Sequence, residues 1–160
     1  MTFGGCLDIT PQFGTAAEGQ TPRGRPAAFG ILEDAGKLAL VRITPSDGGS
    51  HWLDLPGGAL DPGETAKQAL VREFGEETGL IVEARDAYAD AAQYFKLRDG
   101  EAVNNLCSFH TVTRNEGVAK KIEDDHELVW VEVRDAITQL RHDAHAWGVS
   151  AWLRSSLAKT

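Results

Sequence analysis

Apolar and polar residues alternate along this chain in two rhythms, and the rhythms predict its elements. Residues 27–32 and 37–43 are short apolar runs joined by Glu33-Asp34-Ala35-Gly36, the chemistry of a hairpin. Residues 44–50 are polar and glycine-rich and predict a loop. Residues 52–55 predict a short strand that leads into Pro56-Gly57-Gly58. The period then lengthens. Ala66, Leu70 and Phe74 recur every four residues, which places them on one face of a helix. Thr65 followed by Gln68 is a capping box, and Gly79 supplies the left-handed residue after the last turn, with Leu80 packing back on Phe74. The helix is therefore expected over Ala66–Thr78.

Strand patterns return after it. Residues 81–91 predict a strand, residues 92–97 its continuation or another, and residues 102–113 the partner across a turn at Arg98-Asp99-Gly100-Glu101. Residues 115–125 read as a polar, charged loop, and residues 127–133 (ELVWVEV) alternate as a strand does. Residues 135–140 and 145–157 predict helices, the second with Val149, Trp152, Leu153 and Ser156 on one face. Residues 1–25 show little periodicity and read as an irregular arm, with a short strand around residues 6–9. Residues 26–160 read as a single domain. The order of elements suggests a mixed sheet between helices, an α/β/α sandwich.

Composition narrows the function classes. The chain of 160 residues is long enough for one domain with a sizeable core. Its formal charge of −8 argues against affinity for duplex nucleic acid, which needs clustered Lys and Arg. A phosphate substrate remains compatible, because a bound cation reverses the local field. Cys6 and Cys107 lack metal or redox spacing and read as reduced thiols. No apolar run reaches transmembrane length, and the start MTFGGCLDIT lacks a signal peptide's charged and apolar regions, so a cytoplasmic protein without membrane contact is expected. A homodimer is compatible with the sequence. No G-x4-G-K-[ST] loop or G-x-S-x-G turn is present, and nothing points to a covalent mechanism.

The helix carries the chemistry. Glu73, Glu76 and Glu77 stand three and four positions apart, so their carboxylates crowd one another within about 5–6 Å. At an effective dielectric near 20, each like-charge pair costs on the order of 3 kcal/mol before solvent screening. Glu76 and Glu77 also fall in the last turn, at the negative end of the helix dipole, where an anion costs roughly 0.3–1 kcal/mol. Lys67 and Arg72 are the only cations on this helix. A solvated acidic face normally has cations interleaved. A divalent metal is the natural missing charge, and hard cations such as Mg²⁺ take oxygen ligands.

Gly58, Glu64, Arg72, Glu73, Phe74, Glu76, Glu77, Gly79 and Leu80 stand at the spacing G-x5-E-x7-R-E-U-x-E-E-x-G-U, where U is bulky and apolar. This stretch resembles the signature of the Nudix hydrolases, with every fixed position filled. The resemblance implies the Nudix fold and hydrolysis of a nucleoside diphosphate linked to a further group, with Mg²⁺ or Mn²⁺. It also implies that Glu73 and Glu77 are metal ligands, that Glu76 is a third ligand or the general base, and that the Gly58 carbonyl is a further ligand. Arg72 is expected to orient a glutamate, with Glu64 as its partner. Several family members place another ligand or the base near the start of a later strand. Glu127 is the expected residue, in competition with Asp124 and Asp125. Gly75, inside the helix, is expected at a tight contact with the sheet. His51, His110, His126, His142 and His145 read as ordinary.

Base or sugar recognition is expected from Trp52, Tyr94, Phe95, Asn104, Asn105 and Phe109, with Asn104-Asn105 notable because buried amides need partners. The resemblance also discriminates among branches. Phe95 and Lys96 stand where the ADP-ribose branch typically has a proline, the coenzyme A branch's upstream motif is missing, and Tyr94 is offset from the tyrosine of the dinucleoside polyphosphate branch. A nucleoside triphosphate pyrophosphatase is the first expectation. An ADP-ribose, nucleotide-sugar or dinucleoside polyphosphate hydrolase comes second, and RNA 5′-pyrophosphate removal third. A non-catalytic nucleotide-binding module is the alternative from another class, disfavoured because no glutamate of the signature is lost.

Overall fold

The computed structural model describes residues 9–159. Most of the strand expected over residues 6–9 lies outside them, and Ile9 is in no strand. The first sheet contains β1 (Gln12–Phe13), β2 (Arg23–Ile31), β6 (Gly57–Ala59), β7 (Val82–Lys96) and β8 (Ala102–Arg114), in the order β1-β7-β8-β2-β6. It is mixed: β2 runs parallel to β8, β1 parallel to β7, and the other pairs are antiparallel. In the second sheet β4 (Lys37–Ile43) pairs along one edge with β9 (His126–Glu132). Its other edge is shared by β3 (Glu33–Asp34) and β5 (Trp52–Asp54). Helix α1 (Ala66–Thr78) packs on β2, β6, β7 and β9, whereas α3 (Asp143–Leu157) packs on β7, β1 and α2 (Val133–Gln139). The result is the expected mixed-sheet sandwich between helices. Among the described residues no helix is long and apolar enough to cross a membrane.

Strand alternation explains why the apolar runs are nearly unbroken. Ala27, Phe29 and Ile31 of β2 join Leu38 and Leu40 of β4 in one core with Phe109 and Val149. Ala28 and Leu32, with Ala39 of β4, face the other way onto Leu70 and Phe74 of α1. Both faces of these strands are therefore buried. Phe74 is fully buried and its ring lies against Gly30, where an added Cβ would sit 2.5 Å from the ring. This peg fixes α1 on β2, the strand whose other neighbour is β6. Removing it as Phe74→Ala should cost about 3–5 kcal/mol.

Several boundaries differ from the sequence expectation. β2 starts at Arg23 and runs across the division expected between Arg25 and Pro26, because it pairs with β8 from Arg23↔Val103 onward. Gly57-Gly58, to which no element was assigned from the sequence, forms strand β6, with Ala28 opposite Gly58. β7 is one long strand, bent by register shifts between Ala84 and Ala89.

Candidate active site

Helix α1 has the expected ends. Thr65 caps it reciprocally with Gln68, and Gly79 (φ 75°) closes it with an N–H bond to the Gly75 carbonyl. What satisfies the last carbonyls is the polar loop of residues 115–125. Ala119 N–H donates to Gly79 O at 2.9 Å, and the N–H groups of Ile122 and Glu123 donate to Glu76 O at 2.9 and 3.0 Å. Gly75 makes room for this: an added Cβ would stand 3.2 Å from Ala119 Cβ. The expected contact of Gly75 with the sheet is thus corrected to a contact with the loop. The loop is bound to the helix end, which sets Glu123, Asp125 and His126 across from the helix carboxylates.

β6 shapes the floor. Gly57 has φ 140°, and a Cβ there would lie 2.1 Å from the Ala28 carbonyl oxygen, so only glycine fits. Its N–H donates to Glu77 Oε1 at 2.9 Å. A Cβ on Gly58 would collide with the Glu73 carboxylate at 2.8 Å, so glycine lets that carboxylate lie against the backbone. Glu77 is buried, 4% exposed. Burial pushes its carboxyl well above the ordinary range; the Gly57 N–H opposes this, and Glu73, Asp54 and Glu123 add repulsion. Burial likewise raises Glu73, against the nearby Arg72 guanidinium. Buried Glu77 and half-buried Glu73, the latter lying against the Gly58 backbone, are an oxygen donor set that fits a hard divalent cation.

Arg72 organises the rest of the helix face. Its Nε and Nη2 hold both oxygens of Glu64 at 2.9 Å, and Nη2 also donates to Ala59 O at 3.2 Å. Its Nη1 donates to Glu73 at 3.0 Å and to Glu76 at 3.1 Å. All five donors of the guanidinium are used. Its carboxylate partners, Glu64 first, raise its pKa further, so it stays charged. Arg72 is therefore shared among Glu64, Glu73 and Glu76, which removes part of the repulsion expected within the carboxylate cluster.

Above the floor lies an open cleft of about 660 Å³. Gly58, Glu73, Glu77, Trp52, Phe95 and Asn105 of the expected site residues line it. Glu64, Arg72 and Glu76 stand behind it, joined through the guanidinium. Tyr94, Asn104 and Phe109 do not line it. In β7 and β8, Tyr94 pairs with Asn104 and Gln93 with Asn105, so a step of one residue turns Tyr94 and Asn104 to the other face. Asn104 there exchanges two hydrogen bonds of 3.0 Å with Gln12. Phe109 is wholly in the core.

Glu127 is not brought to the cleft. It pairs with Arg42 at 3.4 Å across the strands and its side chain is 68% exposed. Strand β9 begins one residue earlier than expected, at His126, and alternation then sends His126 inward and Glu127 outward. His126 lines the cleft with Glu123 and Asp125. Its Nδ1 lies 2.8 Å from Asp125 Oδ1, and its Nε2 lies 3.5 Å from Glu77 Oε2. Arg98 holds the other Asp125 oxygen at 2.6 Å and, ahead of His126, draws the Asp125 pKa down to about 2.

The sequence reading also passed over three residues of the cleft. Buried Asp54 is held by both arms of the Arg141 guanidinium, with Nε–Oδ1 at 3.2 Å, and burial still raises its pKa. The same guanidinium stands 4.6 Å from the centroid of the Trp52 ring. Arg25, at the end of the expected irregular arm, is half-buried, donates to Asn105 Oδ1 at 3.1 Å and faces the cleft. Only the carboxylate repeat on α1 had a sequence signal. Asp54, Arg141 and Arg25 come together through tertiary pairing alone.

Comparison with known proteins agrees with this geometry. Residues 22–153 match the model of the NUDIX domain. An "8-oxo-dGTP diphosphatase" of Haemophilus influenzae is 30% identical over 66% of this chain and 74% of its own length. An "ADP-ribose pyrophosphatase" of Methanocaldococcus jannaschii is 44% identical over a shorter stretch, 34% of this chain and 32% of its own. In structure, a NUDIX hydrolase from Nitrosomonas europaea superposes with a TM-score of 0.63 at 21% identity, over 84% of this chain and 90% of that one. With its signature on α1 and the cleft above it, this chain belongs to the Nudix hydrolase family.

Proposed function

We propose that this enzyme hydrolyses the pyrophosphate linkage of a nucleoside triphosphate with Mg²⁺ or Mn²⁺, releasing the monophosphate and pyrophosphate. The observation that carries the reading is the pairing of two environments in one cleft. Glu73 and Glu77 lie at one end with too little positive charge around them. Trp52, Phe95 and His142, with the amide of Asn105, line the same cleft. Flat rings with a few convergent polar groups suit a nucleobase.

The residues that would hold the ion are Glu73, Glu77 and the Gly58 carbonyl, with Glu76 kept close by Arg72. When bound, a divalent ion withdraws charge from the phosphates and activates a water. The rest falls to the chain's own groups. Arg25, half-buried and facing the cleft, offers its remaining donors to a phosphate. Arg72 keeps Glu73 and Glu76 oriented. Glu123, one of the carboxylates lining the cleft, would take the proton of the attacking water, a role expected from the sequence of Glu76 or Glu127.

The relative named an 8-oxo-dGTP diphosphatase supports a triphosphate substrate, and the shorter match to one named an ADP-ribose pyrophosphatase supports the second reading. A phosphate-release panel tests both, with Mg²⁺ or Mn²⁺ and with normal and oxidised nucleoside triphosphates, nucleotide sugars and dinucleoside polyphosphates. Highest kcat/KM on a triphosphate, with pyrophosphate as co-product, is the expected result. Preference for ADP-ribose would replace the first reading with the second, and turnover of nothing would favour a binding module.

A further inference from the structure

The imidazole of His126 stands between two carboxylates, and its two contacts differ. Nδ1 meets Asp125 at 2.8 Å, whereas Nε2 stays 3.5 Å from Glu77 Oε2. Asp125 is a carboxylate gripped by Arg98, so it only accepts, and Nδ1 carries the proton. Nε2 then presents its lone pair to the buried oxygen of Glu77. A charge-assisted hydrogen bond between these atoms would close to about 2.7–2.9 Å. Two ligands of one ion, each about 2.0–2.2 Å from it, stand about 3–4 Å apart. The observed gap suits an ion better than a shared proton. A ring nitrogen aimed at a metal while the other donates to a carboxylate is also how histidine ligands are usually oriented.

We propose that His126 Nε2 is a nitrogen ligand of an ion bound at Glu77, biasing the site toward first-row transition ions over Mg²⁺. Imidazole binds such ions well, while Mg²⁺ prefers oxygen throughout. The assignment rests on the metal reading of α1 given above. It adds one residue to that reading and changes its expected metal preference. The Arg98–Asp125 pair becomes the support that fixes the ring's orientation, linking the β7–β8 turn to the metal site.

The test uses Mn²⁺ alone as the probe. Pulsed electron paramagnetic resonance of the Mn²⁺-loaded protein should show nitrogen modulation from a directly bound imidazole. The modulation should vanish in His126→Gln and persist in His142→Asn, which removes another histidine of the cleft. Calorimetry should show the Mn²⁺ dissociation constant rising at least about 10-fold in His126→Gln, since loss even of a ligand's supporting partner costs about 10–100-fold. The Mg²⁺ constant should move far less. If His126→Gln does not fold, Asp125→Asn replaces it and should weaken the modulation. Bound Mn²⁺ without nitrogen modulation in the wild type, or modulation that survives in His126→Gln, overturns the assignment and leaves the carboxylate site standing. Failure of Mn²⁺ to bind at all would instead remove the metal reading itself.

Discussion

Gly57 donates its backbone N–H to the carboxylate of Glu77 at 2.9 Å, joining the floor strand to the last turn of the carboxylate helix. Few other groups offset the burial of this charge. Glu77→Gln keeps the acceptor for Gly57, removes the charge, and offers His126 an amide donor. The variant without metal should therefore be more stable than the wild type, by about 1–2 kcal/mol or roughly 2–6 °C in Tm. It should also lose most of the stabilisation by Mg²⁺ or Mn²⁺, which for the wild type is about 2.7 kcal/mol at a hundred times Kd. Turnover should fall at least about 100-fold, since transition-state charge stabilisation is lost. Thermal melts with Mg²⁺ and with EDTA read both effects. A destabilised variant that keeps its specific activity would make Glu77 a structural residue.

Arg72 spends all five donors on Glu64, Glu73, Glu76 and Ala59. Lysine has the charge but not the planar fork. Arg72→Lys should keep the fold and lower metal affinity or activity by about 10–100-fold, as loss of a ligand's supporting partner does. Glu64→Gln, which breaks one arm only, should cost less. Calorimetric metal titration and steady-state kinetics check the order. Equal affinities in all three proteins would reduce Arg72 to an ordinary ion pair.

The helix and its chemistry were legible because they are local. Capping box, left-handed stop and carboxylate spacing lie within Gly58 to Leu80, and each depends on neighbours in sequence. The opposite wall was not legible for the converse reason. Whether His126 or Glu127 faces the cleft depends on where β9 starts, and one residue of register reverses the answer. The same single step separates Asn105 from Asn104. Asp54 and Arg141 meet across 87 positions of sequence, which no local pattern encodes.

His142 and His145 set a pH dependence of stability. Burial draws His142 down to about 4 and His145 well below its ordinary value. Between about 6.5 and 4 the unfolded chain binds protons that the folded chain refuses, so stability falls as pH is lowered through that window. For His142 the loss is about 3 kcal/mol. The buried carboxyls Glu77 and Asp54, raised rather than lowered, work in the opposite direction as they take up protons. The difference between wild type and His142→Asn isolates the histidine. Urea melts at pH 7, 6, 5 and 4 should show a shallower decline in the variant. Parallel curves would exclude a titrating His142.

Asn105 and Asn104 separate recognition from scaffold. Asn105 lines the cleft and accepts from Arg25, whereas Asn104 bonds to Gln12 at the other face. Asn105→Ala should raise KM about 10-fold, as loss of a hydrogen bond to a charged group costs about 1.5–3 kcal/mol. Asn104→Ala should leave KM within about twofold, as a change at an exposed contact normally does. Trp52→Ala should raise KM as well, with kcat less affected, since stacking acts on bound substrate and transition state alike. Kinetics on the best substrate of the panel decide it, and matching KM values for both asparagine variants would dissociate Asn105 from binding.

Glu123 and Glu127 stand four residues apart on opposite sides of the β9 start, so they make opposite predictions. Glu123 lines the cleft, and its charge raises the pKa of both Glu73 and Glu77. Glu127 is exposed and paired with Arg42 on the outer face of the second sheet. If Glu123 takes the water's proton, Glu123→Gln should lower kcat about 100–10,000-fold with KM little changed, the range for loss of a positioned base. Stability without metal should not fall, because a repelling charge is removed. Glu127→Gln gives up only a surface ion pair, worth about 0–1 kcal/mol, and should keep kcat and KM within about twofold. The contrast is read in one experiment by measuring both variants at saturating metal. Full activity in Glu123→Gln together with loss in Glu127→Gln would mean that β9 enters the site in the other register. Full activity in both would return the base to Glu76.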